Sequence, residues 1–161
     1  MEKDYRYPNG ISLCDVITIN DICLFEKEPH QVIDITRIES AIGNQFQPYK
    51  NRELAFASVY KSLVINHGFL NGNKRTAVIV LFLASSMLGK SLTIDDEDLA
   101  KLTYRIAGEN GSHISTEEIA DQVFNSHITS NDIKPMINGD LEQFAKSIVS
   151  NHQWLMNELA K

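Results

Sequence analysis

The strongest hydrophobic period in the chain begins at Phe56. Val59, Tyr60, Leu63, Val64 and His67 follow it on one helical face, with His67 at the end of the stripe. Gly68 interrupts the pattern and Asn71-Gly72 makes a turn, so a second helix is predicted from Asn73 to about Leu88, stopped by Gly89. Its residues 77–88 are apolar on nearly every side, which makes it the helix around which the others pack. Upstream, Ile35, Ile38 and Ile42 fall three and four apart and predict a short helix over about 36–42, with Gly43-Asn44 as its stop. A first helix is predicted over 17–25, opened near Asp15 or Thr18 and closed before Pro29. Residues 45–51 carry no helical period and read as a loop or a small hairpin.

Downstream of Gly89, Asp95-Asp96-Glu97-Asp98 could pass for a metal-binding cluster. Acids also gather in a first helical turn to complement the dipole, and Leu99, Leu102, Tyr104 and Ile106 continue as a helix. Ser115-Thr116-Glu117-Glu118 fits a capping box ahead of Ile119, Val123 and Phe124. Asn138-Gly139-Asp140 opens a last helix with Leu141, Phe144, Ala145, Ile148, His152, Leu155 and Met156 on one face. No strand pattern persists and nothing repeats, so the predicted fold is an all-α bundle in one domain over 1–161. Its core covers about 17–128, and residues 132–161 form an added C-terminal helix.

Composition narrows the function classes. Fifteen Lys and Arg against 21 Asp and Glu give a net charge of −6, which excludes a basic nucleic-acid surface over the whole molecule but leaves room for a local cationic pocket. Cys14 and Cys23 lack the partners of a disulfide framework or a zinc site, and no secretory leader or spanning helix is evident. Reduced thiols in a cytoplasmic protein are the expectation.

The chemistry is concentrated between the two central helices, in His67-Gly68-Phe69-Leu70-Asn71-Gly72-Asn73-Lys74-Arg75-Thr76. A helix N-terminus offers unpaired N–H groups and partial positive charge, and Gly72 lets an anion approach the backbone. Lys74 and Arg75 add two cations, and His67 adds an imidazole, a side chain that can take up or give a proton. Asn71 offers an oxygen of the kind Mg²⁺ accepts, and Asn73 could orient a phosphate or His67. Each residue also has an ordinary structural use: a core histidine, an Asn-Gly turn, a solvated Lys-Arg pair. Their conjunction suggests a phosphate pocket.

The segment resembles the Fic/Doc signature H-x-F-x-[D/E/N]-[G/A]-N-[G/K]-R, closest to the death-on-curing (Doc) toxin branch, whose form ends N-K-R-T. The resemblance covers about residues 17–128. It implies a small helical bundle with the motif between its central helices, acting on a protein hydroxyl with ATP or another nucleoside triphosphate as co-substrate and Mg²⁺ as cofactor. By position, His67 would be the general base, Asn71 the metal-site residue, Gly72 and Asn73 part of the anion hole, and Lys74 and Arg75 the phosphate clamp. Phe69 would anchor the loop in the core. Phe46, Gln47, Tyr49 and Lys50 would belong to a flap that holds a target segment by backbone pairing. The implied partners are a protein target, elongation factor Tu in the Doc-type kinases, and a small antitoxin, with no direct nucleic-acid or membrane partner.

Two departures bear on activity. Most members carry an acid where this chain has Asn71, and the AMP-transferring form has Gly at the Lys74 position and a second Arg at the Val78 position. The expected activity is therefore phosphate transfer by a Doc-like toxin. The alternatives are a Fic-type AMP transferase and a catalytically weak nucleotide- or partner-binding module. The self-inhibiting pattern [S/T]-x-x-x-E-G-N is absent, since Ile42 precedes Gly43-Asn44, so inhibition by a separate antitoxin is expected. The last helix, with Trp154 at its side, is an extra packing element or a dimer or antitoxin contact.

Overall fold

The computed structural model describes residues 10–90, 92–108, 113–124 and 141–161, and these form an all-α bundle. Its helices are α1 (Leu13–Cys23), α2 (Ile35–Gly43), α3 (Arg52–Asn66), α4 (Asn73–Met87), α5 (Asp96–Ala107), α6 (Thr116–Phe124), α7 (Leu141–Asn151) and α8 (Gln153–Leu159). The apolar α4 lies at the centre as its pattern predicted, with every residue from Arg75 to Leu81 buried. On it pack α1 and α3; α2 and α6 cover α3, α7 covers α1, and α8 lies on α5. Among the described residues the extended backbone amounts to one isolated bridge, Val32 to Phe69.

Several boundaries differ from the sequence pattern for identifiable reasons. Helix α1 starts four residues earlier than expected, because Ser12 and Asp15 form a reciprocal capping box. Gly43-Asn44 does not stop the chain in a left-handed turn. Asn44 keeps right-handed angles, and residues Asn44–Phe46 continue as a 3-10 turn in place of the expected loop or hairpin. Asn51 caps α3 by accepting from the Leu54 N–H at 2.9 Å. Gln45 then ties this turn to the start of the chain, exchanging 2.9 and 2.8 Å hydrogen bonds with the backbone of Ile11.

The acids at 95–98 serve the start of α5, where Asp95 is the N-cap and accepts from the Asp98 N–H at 2.8 Å. No cluster of three or more metal-ligating side chains occurs among the described residues. Ser115 accepts from the Glu118 N–H at 3.0 Å as a cap for α6. The expected single last helix is broken at His152, whose backbone leaves helical angles and whose Nδ1 lies 2.8 Å from Asp96 while its ring contacts Phe82. The turn at Asn138-Gly139-Asp140 and His127 lie outside the described residues. No helix among the described residues is long and apolar enough to cross a membrane.

Candidate functional site

Helix α3 ends where the motif begins. His67 is its C-cap and takes left-handed angles (φ +52°), the one non-glycine among the described residues to do so. Its Nδ1 is 2.8 Å from the Ile65 carbonyl. A carbonyl can only accept, so Nδ1 carries a hydrogen, and Nε2 is the nitrogen left to exchange a proton on an exposed side chain. The imidazole points to solvent, not into packed hydrocarbon.

The chain then passes through Gly68, where a Cβ would fall 2.4 Å from Ile38 Cγ1, and buries Phe69 against the core. This part of the loop is held from two sides. Residues 31–34 run antiparallel beside it: Ile33 N–H donates to the Gly68 carbonyl at 2.8 Å and Leu70 N–H to the Gln31 carbonyl at 2.9 Å. From the other side Asn73 closes a ring on Phe69, accepting from its N–H at 3.0 Å and donating to its carbonyl at 2.8 Å. The Asn73 amide is thereby spent on the loop and orients neither a phosphate nor His67; its contribution to an anion hole is limited to its backbone.

Gly72 opens α4 at φ +78°, with no side chain capping the helix. The positive φ favours glycine, and a Cβ there would meet Asn20 Nδ2 and Leu24 Cδ2 at 3.1 Å, a tight fit on the interior side. The start of α4 thus offers backbone N–H groups that no side chain caps, as an anion site needs.

The clamp expected of Lys74 and Arg75 is not formed. Consecutive residues on a helix point about 100° apart, and these two go to different neighbours. Lys74 places its ammonium 5.4 Å from the centre of the Tyr104 ring on α5. Arg75 is only 1% exposed and pairs bidentately with Glu28, Nη1 to Oε1 at 2.8 Å and Nη2 to Oε2 at 2.7 Å. Its Nη1 also donates to the Cys23 carbonyl at 2.7 Å, and its guanidinium lies over the Phe25 ring. Hydrogen bonds from Arg75 hold the Glu28 carboxyl below the ordinary glutamate range.

Behind the turn sits Asn20, fully buried on α1. Its Nδ2 donates to the Asn71 carbonyl at 2.8 Å and to Thr76 Oγ1 at 3.0 Å, and its Oδ1 is 2.9 Å from His30 Nδ1. Cys23 lies in the same place, its thiol pushed up to about 11 by burial and so kept protonated. Asn71 donates through Nδ2 to the Pro29 carbonyl at 3.2 Å, and its Oδ1 is unengaged among the described residues. As a metal-site residue it therefore offers one neutral oxygen.

The flap residues lie elsewhere. Phe46, Gln47, Tyr49 and Lys50 line an open hollow of about 460 Å³ against the first turn of α3, with Tyr49 Oη donating to Ser58. His67 caps the opposite end of that helix, about 20 Å of rise away. The segment that pairs by backbone with the motif is 31–34.

Asn20, Glu28 and His30 were not singled out in the sequence. Asn20 carries a trace of its role as a polar residue between Ile19 and Ile22 in an apolar helix. Glu28 and His30 carry none, since their partners lie more than 40 residues away or on a separate helix. Fold and site together define an all-α bundle with a histidine-capped turn at the mouth of its central helix. Comparison with protein-family models, curated proteins and solved structures finds no match for this chain.

Proposed function

We propose that the chain is a Doc-like toxin that transfers a phosphate from a nucleoside triphosphate to a hydroxyl of a target protein and is restrained by a small antitoxin. The observation that supports this best is His67, whose Nδ1–H is pinned to a carbonyl and whose ring is exposed, six residues before an uncapped helix start. Such an imidazole is arranged to take the proton of a Ser, Thr or Tyr hydroxyl as that oxygen attacks phosphorus. The phosphate would rest on backbone N–H groups at the start of α4, which no side chain caps. The rate would come mainly from positioning and charge stabilisation. Mg²⁺ accompanying the triphosphate would neutralise its charge, and Asn71 Oδ1 is the oxygen that would hold it. Arg75 gives such a phosphate no side-chain contact while Glu28 holds it.

That commitment of Arg75 favours a second reading, a catalytically weak nucleotide- or partner-binding module. AMP transfer has less support, because Lys74 and Val78 depart from its pattern. Expression in a bacterial host tests the proposal: the wild-type chain should arrest growth and His67→Ala should relieve the arrest. Equal harmlessness of the two overturns the toxin reading. A sharp gain of metal-dependent turnover in Asn71→Asp over a silent wild type would favour the binding module.

A further inference from the structure

Away from the motif, the open hollow of about 460 Å³ at the start of α3 is bordered by two cations, Lys50 and Arg52, with no acid among its lining residues. Its other polar walls are already engaged. Gln45 spends its amide on the backbone of Ile11 and Ile42, Tyr49 Oη donates to Ser58 at 2.7 Å, and Asn51 Oδ1 accepts from the Leu54 N–H. The cations are not. Lys50 has no hydrogen bond or ion pair among the described residues, and Arg52 lies over the Phe56 ring, 5.0 Å from its centre, with no carboxylate at pairing distance. Glu53, next in sequence, is taken by Lys90 at 2.5 Å. Phe46, on the same hollow, is 67% exposed.

Fixed walls, two free cations and a bare ring suit a ligand with carboxylates around an apolar group. Shape decides its size. Small-molecule sites enclose about 70–90% of their ligand, which an open hollow does not do, whereas a segment of a larger partner can lie across it. Charge decides the kind of partner. Two cations displace few counterions from a nucleic acid, and a net charge of −6 repels so extended a polyanion. A short acidic stretch of protein gains the local attraction without that repulsion, and aromatic and arginine side chains are the anchors that protein interfaces favour.

We propose that this hollow docks an acidic peptide segment of a partner protein, its carboxylates on Lys50 and Arg52 and an apolar side chain on Phe46. The ligand is held by side chains and not by backbone pairing beside the motif, as a flap would hold it. Arg52 opens α3 and His67 caps its far end, so docking here leaves the motif free and does not depend on the phosphotransferase reading.

The test is an NMR titration of the full chain, ¹⁵N-labelled, with the end-blocked peptide Glu-Glu-Phe-Glu-Glu up to millimolar concentration. The amides of residues 46–52 should shift, and the same peptide with Gln in place of Glu should leave them where they are. The double variant Lys50→Gln/Arg52→Gln should weaken binding about tenfold, the scale of two exposed charge pairs. Phe46→Ala should weaken it too, as should raising the salt from about 0.1 M to about 1 M. All three side chains are exposed, so the variants keep the core intact. Unchanged binding in the double variant, equal binding of the Gln peptide, shifts confined to other residues, or no shift at all overturns the docking site. Tighter binding of an oligothymidylate overturns it as well, and so does a shift of the same amides on concentrating the free chain, which would give the hollow to a second copy.

Discussion

Arg75 shows how much one residue's neighbours decide. In the sequence it stands beside Lys74 and next to a turn, where a cation reads as a ligand for phosphate. In the fold it is buried, and its charge is compensated by Glu28, which is itself a quarter exposed. Removing one partner of such a pair strands the other charge, so Glu28→Ala should cost about 2–4 kcal/mol in urea denaturation. The pH dependence has a definite sign. The folded carboxyl titrates below its ordinary value of 4.5, so its contribution is whole above that pH and is lost as pH falls through the lowered folded value. Thermal midpoints of wild type and Glu28→Gln should converge on acidification below pH 4.5; a gap that persists undiminished contradicts the assignment.

The two central helices were legible because their signals are local. A stripe of five positions from Phe56 to Val64 marks the core-facing side of α3, although His67 at its end turns out to solvent, and an all-round apolar segment marks α4 as the buried element. The turn between them was legible too, since Asn71-Gly72 and the residues around it are contiguous. What escaped is what depends on contacts across the chain. His30 reaches the motif only because residues 31–34 pair with residues some 35 positions later, and adjacent Lys74 and Arg75 part company because a helix turns between them. The early start of α1 is a different kind of miss: its capping box carries Asp15 where Glu or Gln is the commoner partner. Both bonds of that box pass through residue side chains, so Ser12→Ala should cost about 1 kcal/mol of stability by chemical denaturation without changing the motif. A cost near zero would mean that α1 is set by its packing alone.

At the level of the entire chain, the C-terminal segment is built into the bundle. Leu155, Met156 and Leu159 are buried with the rest of the core, α7 lies on α1, and His152 is tied to Asp96 at the start of α5. Tyr104, under the Lys74 ammonium, donates to the Glu158 carbonyl, so the motif and the end of α8 meet on one ring. In a chain of net charge −6, the segment 67–72 runs from an exposed imidazole to an uncapped helix start opened by a glycine. The claim that this turn transfers phosphate is tested most directly by incubating the chain with a bacterial lysate and ATP labelled at either the γ- or the α-phosphate. A labelled protein is expected from γ-labelled ATP and is expected to be absent with His67→Ala. Label from the α-phosphate alone, label that survives His67→Ala, or no label from wild type would contradict it.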